Sequence, residues 1–204
     1  MTILSVNKTR GFFDGRFASI FCLWARWTVP IFLFLEVIMN KKTKFLTHGA
    51  LIAALYVVLT YAQNFLWPES TSMAIQFRAS EALCALALFT PAAIPGMTLG
   101  CFLFNLSNAA ALPLDYLAGT LASLLAVAGM WYTRKITMKG YPLLAMLLPA
   151  LSNALLVGWE LSVYIGGGFL INALFVAIGE AAVLLTLGSV IFYAIKARHL
   201  ERLF

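Results

Sequence analysis

The sequence predicts an all-α membrane protein, a bundle of six transmembrane helices with both termini on the cytoplasmic side. Three observations lead there. Of 204 residues, 62% are hydrophobic and 11% charged, and the mean hydropathy is +0.92, more apolar surface than a soluble domain of this length could bury. Apolar runs recur at lengths able to cross about 30 Å of hydrocarbon. Basic residues cluster at alternate ends of those runs, while acidic residues lie inside them or at the opposite ends. The length suits one compact bundle with no separate soluble domain such as an ATPase, so any energy source is expected on another chain. Cys22, Cys84 and Cys101 fall singly in apolar runs, and His48 and His199 are far apart, so no metal site, disulfide framework or cofactor is expected.

The first span runs from Phe45 to Trp67 and ends on an interfacial aromatic and the helix stop Pro68. After a polar stretch, Glu69 to Ala79, Ser80 is positioned to cap a second span that Thr90 and Pro91 end. A third starts near Pro95 and reaches Asn108, a fourth covers Asp115 to Tyr132, a fifth Pro142 to Ile165, and a sixth Phe169 to Ile195 after the break at Gly166, Gly167 and Gly168. Counting 81 to 108 as two spans places Lys41, Lys42 and Lys44, then Arg134, Lys135 and Lys139, then Lys196, Arg198 and Arg202 on one side, as the positive-inside rule requires. One long span there would put the later clusters outside. Residues 1 to 38 stand apart: Phe17 to Ile38 holds Arg26, Pro30 and Glu36 and is basic on both flanks, whereas MNKKTKFL from Met39 reads as a normal start. The division expected is an N-terminal extension, 1–38, as an over-long start or interfacial segment, and a six-helix substrate-binding domain, 39–204.

That topology collects the acidic residues. Glu69, Glu81 and Asp115 fall at outer helix ends or loops, Glu160 lies about 9 Å inward of the glycine break, and Glu180 lies near the middle of the last span. An ionisable group within a span normally faces a bundle interior or an aqueous cavity, so Glu160 and Glu180 are candidate binding residues. Asn153 shares a helix face with Glu160, and Asn105 and Asn108 are one turn apart. Trp159 offers a flat surface, and Gln76, Arg78 and Glu81 bracket a helix start. Each has a structural alternative: membrane asparagines bond neighbouring helices, aromatics form interfacial belts, and Arg78 can simply pair with Glu81. Carboxylates and amides among aromatics suit a planar, donor-rich or cationic metabolite, because a carboxylate accepts two parallel hydrogen bonds from a guanine-like edge. No phosphate loop, nucleophile with a paired base, or HExxH is present, so an enzyme is not expected. On the first span Ala50 and Ala54 form a smooth ridge, with Gly49 and Ala53 on the adjoining stripe, fit either for internal packing or for docking another protein.

MAIQFRASEAL from Met73, FTPAAIPGMTLGCFLFNL from Phe89, LDYLAGTLASLLA from Leu114, SNALLVGWEL from Ser152 and IGE at Ile178 to Glu180 together resemble the QueT family. The resemblance spans about Asn40 to Lys196. It implies a substrate-binding S component of an energy-coupling factor (ECF) transporter, a six-helix fold of that type in a prokaryotic cell membrane. The implied substrate is a queuosine precursor, a 7-deazaguanine-type base taken from outside. The implied partners are a transmembrane coupling subunit and two cytoplasmic ATPases, with Ala50 and Ala54 matching the AxxxA signature that meets the coupling subunit. Gln76, Arg78, Glu81, Asn153, Glu160 and Glu180 carry over as pocket candidates, beside Asn105, Asn108, Asp115 and Trp159. Three alternatives stay open: an S component for another planar vitamin such as thiamine, a self-sufficient proton-coupled transporter relaying through Glu180, and a scaffold without ligand.

Overall fold

The computed structural model describes residues 40–67, 77–108 and 112–203. The expected N-terminal extension, Glu69 and the candidate Gln76 lie outside them. Residues 45–204 form one compact unit; of the unit before it, residues 40–44 are described and open the first helix.

Among the described residues the regular structure is helical, joined by short turns and irregular segments, with one isolated bridge between Met138 and Tyr141. Helix α1 covers Lys41–Leu66, α2 Ala93–Ser107, α3 Asp115–Thr133, α4 Leu143–Tyr164, α5 Phe169–Val183 and α6 Ser189–Ala197. A five-residue π-helical turn, Leu184–Gly188, joins α5 to α6 into one apolar rod, Phe169–Ala197. That rod, α1, α3 and α4 are long and apolar enough to cross a membrane. Two shorter apolar helices accompany them, α2 and a 3₁₀ helix, Ala79–Leu88.

The chain departs from the expected local structure at the second apolar segment. Instead of an α-helix capped by Ser80, ten residues form a 3₁₀ helix whose start carries no side-chain cap. At about 2 Å rise per residue it extends roughly 20 Å, where an α-helix of that length would reach about 15 Å. Its sequence, ASEALCALAL, alternates small residues with leucines, and eight of its ten residues are buried. Three residues per turn stack Glu81, Cys84 and Ala87 along one edge, with Arg78 in extended conformation at the N-cap. The polar start of the segment is thereby aligned along the bundle interior.

Small residues fix how the helices approach. A Cβ at Gly96 would lie 2.7 Å from the Gly49 carbonyl oxygen and 2.9 Å from Ile52 Cβ, and one at Gly100 would lie 2.8 Å from Tyr56 Cβ. Helix α1 therefore rests on α2 at a separation that only glycine permits. This resolves the two small-residue stripes of α1: Gly49 and Ala53 are buried, whereas Ala50 and Ala54 are exposed. On the opposite side, α4 packs against both α3 and α5, and a Cβ at Gly158 would strike the Ala173 backbone at 2.7 Å. The break before α5 needs its glycines, since Gly166, Gly167 and Gly168 have φ of +86°, +83° and +85°.

The core divides by height. A large apolar cluster includes Ile52, Leu83, Met97, Met130, Met146 and Leu184, and Phe192 extends it towards Tyr141 and Tyr193 beside the basic residue Lys196. A smaller one, Ala122, Val157, Leu161 and Val176, lies among α3, α4 and α5. The buried ionisable residues form a third environment, described below.

Gly96→Ala is expected to force α1 from α2 and cost about 1–3 kcal/mol, seen as a lower thermal midpoint in detergent. At Gly129 an added Cβ meets only the flexible end of Leu148, 3.0 Å away, so Gly129→Ala is expected to leave the midpoint unchanged or raise it. Equal midpoints for the two variants would contradict the glycine-seated contact.

Candidate functional site

The site is built outward from Glu81, which is 1% exposed on the 3₁₀ helix. Its Oε1 accepts a 2.8 Å hydrogen bond from the Tyr56 hydroxyl of α1, and its Oε2 accepts a 3.3 Å bond from Cys84 Sγ one 3₁₀ turn onward. One α-helical turn from Tyr56, Thr60 Oγ1 lies 2.8 Å from Ser80 Oγ and 2.7 Å from the Tyr56 carbonyl oxygen. The Gln63 side chain continues the seam, accepting from Ala79 N at 2.7 Å and donating to the Phe77 carbonyl. Helix α1 thus presents Tyr56, Thr60 and Gln63 on one edge and holds residues 77–81 by their polar groups.

Beside this seam lie three further carboxylates. Glu160 of α4 is 0% exposed, and neither of its oxygens has a hydrogen-bond partner among the described residues. Asp115, at the first turn of α3, lies close enough to interact with it by charge and by its side chain. Asp115 is itself held in place: its Oδ2 accepts from Leu112 N at 2.7 Å, and its carbonyl accepts from Asn105 Nδ2 at 2.9 Å. Glu180 of α5 is 3% exposed; Asn153 of α4 contacts its carboxylate, while Oε2 is left without a partner. Glu81 acts on Glu180 across the bundle.

Arg78 is the counter-charge for this group. It is buried, and it acts electrostatically on Glu81, Asp115, Glu160 and Glu180. Burial works against its charge, while the neighbouring Glu81 and Asp115 carboxylates favour it. Its Nε has no hydrogen-bond partner among the described residues. One guanidinium therefore serves four carboxylates, leaving an excess of acceptors in a low-dielectric interior where unpaired polar groups are costly. The carboxylates do not converge as a metal cage: no group of three His, Cys, Asp or Glu side chains among the described residues could hold an ion. Their chemistry instead suits a ligand that brings N–H donors or positive charge.

Of the residues singled out in the sequence, Arg78, Glu81, Asn105, Asn153, Glu160 and Glu180 are buried and Asp115 half-buried. Asn105 acts as a brace between α2 and α3 through Asp115 and a 3.5 Å contact with Cys101 Sγ. Asn108 is half-buried at the end of α2. Trp159 is 50% exposed, on the outer side of α4 one residue from the buried Glu160. Asn172 turns back to the glycine break, donating from Nδ2 to the Gly166 carbonyl oxygen at 2.8 Å. Sequence reasoning missed Tyr56 and Thr60. The signal was present, because Gly49, Ile52, Ala53, Tyr56 and Thr60 fall on one helical stripe, and two hydroxyls on such a stripe within an apolar span call for polar partners.

Comparison with known proteins gives a match to one family: residues 46–197 fit the sequence model described as QueT transporter. No curated protein and no solved structure matches the chain.

Because Glu160 is buried without a hydrogen-bond partner, Glu160→Gln is expected to stabilise the ligand-free protein by about 1–2 kcal/mol. Arg78→Gln is expected to lower that stability, by removing the positive charge that acts on the buried carboxylates. Thermal midpoints in ligand-free detergent solution check both signs.

Proposed function

The chain belongs to the QueT transporter family, and from that premise we propose that it is the substrate-binding S component of an ECF transporter, importing a 7-deazaguanine-type queuosine precursor. The observation that carries this reading is the pair of buried carboxylates, Glu160 and Glu180, with oxygens unpartnered beside a single guanidinium. A guanine-like base presents a ring N–H and an exocyclic amino group in parallel, which one carboxylate accepts together. Glu160 or Glu180 reads that edge. Arg78 offers a donor to the ring carbonyl and keeps the remaining acids compensated, while Asn153 fixes the Glu180 carboxylate. Glu81, Asn105, Asn108 and Asp115 shape the surround and Gln76 stays a pocket candidate from the family resemblance, whereas Trp159, half exposed on the outer side of α4, does not face the base.

In this reading the two short helices also cross the membrane, giving six spans with both termini cytoplasmic in a prokaryotic cell membrane. Lys41, Lys42 and Lys44, then Arg134, Lys135 and Lys139, then Lys196 and Arg198 support the orientation. Movement of substrate draws on two ATPase subunits through a transmembrane coupling subunit. The exposed Ala50 and Ala54 of α1 supply the ridge for that subunit.

Purified protein is expected to bind labelled 7-aminomethyl- or 7-cyano-7-deazaguanine at micromolar concentration or below, with Glu160→Gln and Glu180→Gln each weakening binding at least about tenfold. Absence of binding by the wild-type protein would sink the substrate assignment. Ala50→Leu with Ala54→Leu should abolish co-purification of the coupling subunit yet leave ligand retention intact. Uptake into vesicles that lack ATP would count against an ATPase-driven mechanism.

A further inference from the structure

We propose that Tyr56 is a positioning residue for the substrate site, acting through Glu81 to reserve the charge of Arg78 for the carboxylates that meet the ligand. The inference rests on the substrate-site reading above. Glu81 differs from Glu160 and Glu180 in one respect: both of its oxygens have partners, Tyr56 OH at 2.8 Å and Cys84 Sγ at 3.3 Å. It is therefore an internal group, whereas both oxygens of Glu160 and one of Glu180 remain available as acceptors.

The identity of the partner matters. A phenol is a neutral donor, so it satisfies a buried carboxylate without adding a second positive charge. Glu81 follows the N-cap residue Arg78 by three positions and acts on both Arg78 and Glu180. With Tyr56 in place, Glu81 is held against α1 by the phenol. Without the hydroxyl, an oxygen of Glu81 loses its donor, and the Arg78 guanidinium, which already interacts electrostatically with Glu81, is a charged donor that would take its place. Capture of Arg78 by Glu81 would draw it from Glu160 and Glu180 and change the potential that the ligand meets.

The placement of Tyr56 is not incidental packing. Its ring is 0% exposed, its Cβ sits over Gly100, and its carbonyl is bonded by Thr60, which also ties to Ser80. Three contacts in two turns thus fix the phenol at a set height. The same helix carries the exposed Ala50 and Ala54, so a shift of α1 along α2 would be felt at Glu81.

The test is a double-mutant cycle read by equilibrium binding of labelled 7-aminomethyl-7-deazaguanine to the purified full chain. Tyr56→Phe is expected to weaken binding about tenfold in the wild-type background and less than about twofold when combined with Glu81→Gln. Tyr61→Phe removes a hydroxyl bonded to the exposed Ser107 and serves as the control, with affinity unchanged. A role in helix packing alone would give the same loss in both backgrounds, and that outcome overturns the proposal, as does wild-type affinity in Tyr56→Phe. Failure of the wild-type protein to bind the base would instead refute the substrate reading, so the two failures are distinguishable.

Discussion

The arrangement of this protein depends on one electrostatic imbalance, a guanidinium at Arg78, the one buried among the described residues, acting on Glu81, Asp115, Glu160 and Glu180. Burying charge in a low-dielectric bundle is tolerated only when partners or hydrogen bonds compensate it. Here the compensation is partial and unevenly distributed. Glu81 has two donors and Asp115 has a backbone N–H, but Glu160 has no hydrogen-bond partner among the described residues. A cluster arranged solely for stability would place its best donors on its most buried acid. Here two equally buried acids differ, Glu81 with two donors and Glu160 with none, and the proposed binding role gives a reason for that difference.

The rest of the fold serves to bring those groups together. The acids come from four helices: Glu81 from the 3₁₀ segment, Asp115 from α3, Glu160 from α4 and Glu180 from α5. The contact of α4 with α5 is close because Gly158 meets the Ala173 backbone, and α1 is seated by Gly96 and Gly100. Helices that approach so closely have little freedom to shift in increments, so the acids keep fixed relative heights. The 3₁₀ helix adds reach for few residues, with Arg78 at its N-cap and Glu81 in its first turn. Its ten-residue length is unusual for that conformation, in which runs beyond about three or four residues are uncommon.

Much of this was legible in the chain itself. The limits of the long helices follow from lysine clusters, Pro68, Asp115 and the glycine triplet, each a signal written in a few adjacent residues. Glu160 and Glu180 stood out because an acid inside an apolar run needs an explanation. The two features that were hidden depend on contacts distant in sequence. Nothing local distinguishes ASEALCALAL as 3₁₀ rather than α-helical, since small residues and leucines are compatible with both and only packing on all sides selects the longer, thinner form. Tyr56 reaches Glu81 across 25 residues, and its role becomes visible only once Gly100 shows where α1 lies. The π-helical turn at Leu184–Gly188 is similarly a consequence of packing: its Gly188 lies against Met146 and the Ala82 carbonyl.

The central claim is that the open carboxylates of Glu160 and Glu180 are acceptors for a planar, donor-bearing base. The most direct measurement is an experimental structure of the full chain with 7-aminomethyl-7-deazaguanine bound. The account predicts the base among α3, α4, α5 and the 3₁₀ helix, its ring N–H and amino group within hydrogen-bond distance of Glu160 or Glu180, and Glu81 still bonded to Tyr56. A base bound elsewhere, with the oxygens of Glu160 and Glu180 unchanged from the ligand-free protein, would contradict it.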